Sequence, residues 1–121
     1  AVAAEDIYIG DGGSNSLLVS SVDVKKPDQI VDNTMILSQY VDIYVSESAF
    51  YLYQRKEYWD DVVTQIAKFD LSDGKMNAVG AVSANGRVTD TFAVNECEGK
   101  LRVLTSGQNA VSGEAENNLY Q

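Results

Sequence analysis

Apolar residues fall in short runs along this chain, each closed by turn residues. The runs are Ile7-Tyr8-Ile9, Leu17 to Val22, Thr34 to Leu37, Val41 to Val45 and Ala49 to Tyr53. Further on come Val62 to Phe69, Met76 to Val82, Val88 to Val94 and Leu101 to Leu104. Val, Ile, Tyr, Phe and Thr dominate them, which is the chemistry of strands. Between them lie Asp11-Gly12-Gly13-Ser14, Pro27-Asp28, Ser72-Asp73-Gly74, Asn85-Gly86 and Glu98-Gly99, all turn formers. No window of a dozen residues repeats apolar positions at helical spacing. Residues 57–66 come nearest, but Val62, Val63, Thr64 and Ile66 favour a strand.

Several runs are apolar on both faces. Side chains alternate sides along a strand, so Phe50 and Leu52 point one way while Tyr51 and Tyr53 point the other. Leu17 and Val19 oppose Leu18 in the same way. Strands of this kind are covered on both sides. In an all-β chain that predicts sheets stacked face to face, as in a propeller.

The runs also repeat. Val22-Asp23-Val24 and Phe69-Asp70-Leu71 each precede a turn, and Asp23 and Asp70 are 47 residues apart. Ile36-Leu37-Ser38 then corresponds to Ala81-Val82-Ser83, and Val41-Asp42-Ile43 to Val88-Thr89-Asp90. Phe50-Tyr51-Leu52-Tyr53 corresponds to Leu101-Arg102-Val103-Leu104, 51 residues later, and Ile7-Tyr8-Ile9 sits about one period before Phe50. Four strands in a repeat of this length match propeller blades. The expected architecture is therefore all-β: four-stranded antiparallel blades, about two and a half of them, at roughly 1–38, 39–83 and an incomplete 84–121. Closed rings hold four to eight blades, so the chain reads as a piece of a longer protein. A self-contained β-sandwich of about nine strands, with an accidental repeat, is the competing architecture.

Charge and composition narrow the function classes. Eighteen acidic residues against nine basic ones give a net charge of −9. Phosphate binding needs clustered Lys and Arg, so nucleic acid and anionic lipid are not expected partners. No apolar run is long enough to span a membrane as a helix. Ala1 to Glu5 lack the basic start and apolar stretch of a signal peptide. An export signal or anchor would lie outside this chain.

There is one cysteine, Cys97, and no histidine. A lone thiol makes no internal disulfide and no structural zinc site. Without histidine the commonest general base and metal ligand are missing. Ser46-Glu47-Ser48 therefore has no base to activate a hydroxyl. Asp60-Asp61 and Glu96/Glu98 offer carboxylates, but glycoside hydrolysis needs two acids on opposite sides of a bond. Strand or turn neighbours do not arrange them so. Asp11 to Asn15 is rich in oxygen ligands but lacks the spacing of a calcium loop. It reads as a flexible turn. Asp70 is expected to accept backbone N–H bonds in its turn, with Gly74 supplying positive φ. Cys97, flanked by Glu96 and Glu98, reads as an inert, half-buried thiol. No catalytic, cofactor or metal residue is assigned.

The aromatics are more informative. Phe50, Tyr51 and Tyr53 read as packing between blades. Tyr58 and Trp59 lie in the polar stretch Gln54 to Asp61. An exposed aromatic there is a candidate ligand contact.

The stretch Thr-Gln-Ile-Ala-Lys-Phe-Asp-Leu-Ser-Asp-Gly-Lys (64–75), followed by Phe92-Ala93-Val94-Asn95-Glu96 and Gly99-Lys100-Leu101-Arg102-Val103-Leu104-Thr105, resembles a known family. It is similar to secreted bacterial and archaeal proteins with a C-terminal β-propeller domain, distantly related to WD40 repeats. Val45 to Tyr53 and Asn117 to Tyr120 resemble its flanking strands. The likeness runs from about residue 5 to the end, and Cys97 departs from it, standing in a turn where a polar or aromatic residue is expected. It implies export and attachment at the cell envelope, and it carries no activity or site residues over.

Together these observations predict a non-catalytic binding or scaffolding module, extracellular or in the cell envelope, contacting a protein or a glycan. The alternative is part of a larger extracellular enzyme whose catalytic residues lie outside this chain. Apolar faces left without neighbours predict that the isolated chain self-associates.

Overall fold

The computed structural model describes residues 2–10, 14–59, 61–109 and 111–121. They form three sheets in sequence, lying side by side without closing into a ring. The first contains β1 (Ile7–Ile9), β2 (Asn15–Asp23) and β3 (Lys26–Ser38). The second is an antiparallel meander of β4 (Asp42–Val45), β5 (Ala49–Tyr58), β6 (Asp61–Ser72) and β7 (Lys75–Asn85). The third contains β8 (Val94–Cys97), β9 (Lys100–Gln108) and β10 (Ala115–Tyr120), again antiparallel. Two short 3-10 turns, Ala4–Asp6 and Thr91–Ala93, precede the first strand and β8.

Turn chemistry sets the hairpins. Asp73-Gly74 and Glu98-Gly99 each occupy left-handed φ, at 52° and 76° and at 54° and 73°. Two residues of positive φ suit the tight reversal whose twist matches antiparallel strands. Asp70 does not cap its turn as expected. Its carboxylate lies 3.0 Å from the Lys68 ammonium instead.

The middle sheet is covered on both faces. On one side Phe50 and Leu52 pack with Ile36, Phe69 and Met76, and with Tyr8, Leu17 and Val19 of the first sheet. Phe50 stacks on Phe69 with ring centroids 4.6 Å apart, and Tyr8 meets Phe69 edge-on at 5.2 Å. On the other side Tyr51 and Tyr53 pack with Ile66, Ala84, Val94 and Val103. Each large side chain fully removed from water contributes about 1.5–3 kcal/mol. The five-residue run Ala49–Tyr53, entirely buried, thus anchors both neighbours.

Three expectations change. Leu18 is not covered. It is 54% exposed, because it faces outward from the first sheet while Leu17 and Val19 face the second. The segment Val88 to Val94 is not a strand. Asp90 Oδ1 accepts hydrogen bonds from the N–H groups of Phe92 and Ala93, which winds residues 91–93 into a turn of helix and delays β8 to Val94. Finally, β1 does not take the place one period before β5. It pairs in parallel with β3, Ile7 opposite Met35 and Ile9 opposite Leu37, a placement that brings Tyr8 onto Phe69. The oxygen-rich turn at Asp11 to Gly13 lies outside the described residues.

Candidate binding surface at the hairpin tips

The β5–β6 hairpin pairs continuously from Ala49 opposite Asp70 to Tyr58 opposite Asp61. Its tip is a two-residue loop that begins at Trp59. Asp60 lies outside the described residues. Trp59 has φ of 46°, the left-handed region where glycine or asparagine is usual and other residues pay about 1–2 kcal/mol. Its side chain is fully exposed (106% relative accessibility), and Tyr58 beside it is 51% exposed. The structure thus sets both sequence-selected aromatics in water at one tip. On the stem, the Arg55 guanidinium pairs with Glu57.

A second tip lies across from it. The loop between β9 and β10 is closed by Asn109, whose Oδ1 accepts from the N–H groups of Val111 and Ser112 at 3.0 and 3.1 Å. This leaves Val111 97% exposed. Between the two hairpins runs a polar cleft of about 650 Å³, lined by Arg55, Asp61, Asn85, Arg87, Gln108 and Glu116 among others. Among the described residues Arg87 makes no ion pair. The arrangement suits contact with polar groups framed by exposed apolar surface.

The cleft floor is fixed by main-chain contacts between the sheets. Arg87 N–H donates to Ser106 O at 2.8 Å, and Ser106 N–H donates back to Arg87 O at 2.9 Å. Gly86, at φ 88°, passes so close to the third sheet that a Cβ there would lie 2.9 Å from Thr105 Oγ1. Buried Thr64 donates its hydroxyl to Gly86 O at 2.8 Å and accepts from Val88 N–H at 3.2 Å. Thr105 donates to Asn85 O.

A second polar group ties the same two sheets together near the β4–β5 turn. Glu96 accepts hydroxyl hydrogen bonds from Ser46 (2.6 Å), Tyr51 (2.9 Å) and Ser48 (3.0 Å), while its own N–H donates to Tyr44 Oη at 3.0 Å. The Ser46 bond, reinforced by those from Tyr51 and Ser48 and opposed by burial, holds the carboxyl below its ordinary 4.5. Burial, with the Glu96 bond adding, pushes the Tyr51 hydroxyl above 10. Burial, with Asp42 and Asp90 adding, does the same for Tyr53. Glu96 is therefore a joint between sheets, and Glu98 stands apart from it in a turn of positive φ.

Sequence inspection selected Tyr58 and Trp59 but not Arg55 or Arg87. Their convergence depends on Gly86 crossing to β9, for which the only signal was the Asn85-Gly86 pair. Among the described residues there is no group of three or more Cys, Asp or Glu side chains placed to hold a metal ion.

Comparison with known families agrees with this geometry. The beta propeller domain matches the chain over residues 1–121. The chain belongs to that family. Neither a curated protein nor a solved structure matches it. Each sheet is accordingly a blade of a partial propeller. The β5–β6 and β9–β10 tips are corresponding loops of successive blades, with the Arg87–Ser106 bridge between them. No helix among the described residues is long and apolar enough to cross a membrane.

Proposed function

We propose that the chain serves as a non-catalytic binding or scaffolding module of a secreted, cell-surface β-propeller protein, touching a protein or glycan through Tyr58 and Trp59. The observation that carries this reading is Trp59 itself. A large aromatic ring wholly in water, on backbone that disfavours it, has no role in packing. Rigid exposed aromatics contribute disproportionately to recognition. Arg87 and Arg55 in the adjoining cleft supply donors suited to sugar hydroxyls or carboxylates.

Trp59 is the only tryptophan, so its fluorescence reports this surface alone. Titration with soluble envelope glycans and envelope proteins is expected to shift the emission to the blue and shield it from iodide. Emission that stays red and fully quenchable throughout contradicts the proposal. Turnover of a hydrolase substrate by this chain contradicts the non-catalytic part. Leu18 on the outer face of the first blade and Leu119 on that of the third, 54% and 71% exposed, lack the cover that Phe50 and Tyr51 receive. They support self-association of the isolated chain, which light scattering tests. A strict monomer at high concentration is the contrary result.

A further inference from the structure

Among the described residues the outer edge of β7 is the longest strand edge left open. From Met76 to Asn85 it carries no charge and no proline, two of the devices that protect an edge; a third, a bulge, sits at Val79 and leaves the strand regular only from Gly80 on. Its ends are engaged. Met76 N–H donates to Asp32 Oδ2 at 2.8 Å, and Asn85 N–H donates to Tyr120 Oη at 3.2 Å. Amide directions alternate along a strand, so the N–H groups of Ser83 and Ala81 turn outward like that of Asn85. Among the described residues no further strand lies beside β7. Val79 and Val82 are 57% and 65% exposed.

The corresponding strand of the first blade is covered. Ile36-Leu37-Ser38 of β3 matches Ala81-Val82-Ser83 of β7 in the repeat, and β1 lies in parallel along Met35 to Leu37. It does so with the sequence Ile7-Tyr8-Ile9, preceded by Glu5 and Asp6, and sends Tyr8 inward to Phe69. The chain therefore already shows one added strand on this kind of edge. Beside β7 there is room for another. A cleft of about 600 Å³ opens between Gly80–Ser83 on one side and Tyr8–Gly10 on the other, floored by Ile36, Leu52 and Phe69. Ala81 pairs with Ala67, so the Ala81 side chain faces that cleft and leaves it unfilled.

We propose that the β7 edge, over Gly80 to Ser83, is a docking site for an extended peptide strand of a partner protein. That strand carries apolar or aromatic residues at alternate positions, as Ile7-Tyr8-Ile9 does beside β3. Main-chain bonds to Ala81 and Ser83 supply the pairing, and one large side chain enters the cleft beside Phe69. Addition of a strand to an open edge is a recurrent mode of peptide recognition.

The probe is a labelled synthetic peptide of residues 2–10, Val-Ala-Ala-Glu-Asp-Ile-Tyr-Ile-Gly, titrated into the 121-residue chain and followed by fluorescence anisotropy. Two variants report the site. Ala81→Pro removes an outward N–H, and Ala81→Lys puts a charge in the cleft. Circular dichroism confirms that each is folded, and the exposed lysine variant serves if the proline variant is not. Saturable binding weakened about tenfold or more by the substitution, with slowed amide exchange at Ala81 and Ser83 on binding, is expected. Absence of saturable binding overturns the proposal. So does binding that the variants leave unchanged, which would place the peptide on β3 in exchange for β1. A dimer of the chain that Ala81→Lys dissociates, without peptide binding, assigns the edge to a second copy and also overturns it.

Discussion

Tyr51 of β5 donates its hydroxyl to Glu96 of β8 at 2.9 Å, across the boundary between the second and third blades. Ser46 and Ser48 converge on the same carboxylate, so three donors depend on one acceptor. Glu96→Ala is expected to lower stability by about 1–2 kcal/mol, since hydrogen bonds to a charged group are worth more than neutral ones but a partly exposed site is screened. Chemical denaturation of both proteins at neutral pH measures it. An unchanged midpoint would show that water replaces the carboxylate without loss.

The same joint sets a pH dependence. Folding depresses the Glu96 carboxyl below 4.5, so its contribution is complete above that value and disappears as pH falls through the lower folded value. The stability gap between the native chain and Glu96→Gln should therefore be constant near neutrality and close in acid below pH 4.5. Thermal unfolding across pH 2.5–7 checks this. A gap that widens in acid refutes the assignment.

Thr64 is 1% exposed and satisfies both Gly86 O and Val88 N–H. Thr64→Val keeps the shape and strands both backbone groups. The expected cost is about 1–3 kcal/mol, visible as faster amide exchange at Val88. Gly86→Ala should cost at least as much, because its φ of 88° and the 2.9 Å approach to Thr105 Oγ1 leave no relaxed alternative.

Trp59 invites the opposite outcome. Replacing it with Asn, which tolerates left-handed backbone, is expected to stabilise the hairpin by roughly 1 kcal/mol while abolishing ligand contact at the tip. Denaturation and ligand titration of Trp59→Asn test the two effects separately. Loss of stability would show that the ring packs on something in solution.

Phe69 stacks on Phe50 and receives the edge of Tyr8. Truncation to alanine is expected to cost about 3–5 kcal/mol, as for other buried aromatics. It should also free β1, giving new proteolytic cleavage near Tyr8. Retention of β1 in that variant would mean its pairing with β3 suffices alone.

Alternation of Phe50 and Leu52 against Tyr51 and Tyr53 revealed the stacked-sheet architecture because burial on two faces leaves a two-residue period with no polar side. The turns at Asp73-Gly74 and Glu98-Gly99 were legible because positive φ restricts residue choice. Residues 88–94 misled, since Val88 and Val94 fit a strand and the decisive bonds come from the Asp90 side chain. The position of β1 was also hidden. Ile7 to Ile9 pattern equally well beside either neighbour, and tertiary contact with Phe69 decides. Tyr58 and Trp59 stood out as aromatics in a polar stretch. Arg55, Arg87 and the joint at Glu96 did not, because residues dozens of positions apart meet only after the blades stack.

The burial of Ala49–Tyr53 on both sides makes this segment intolerant of a shift in phase. Inserting one residue ahead of Phe50 would exchange the two faces. The phenol oxygens would be driven among Leu17, Val19 and Met76, and the benzyl ring of Phe50 would stand where Glu96 awaits a donor. Both joints would fail from one lesion, whereas the same insertion at an exposed loop would pass unnoticed.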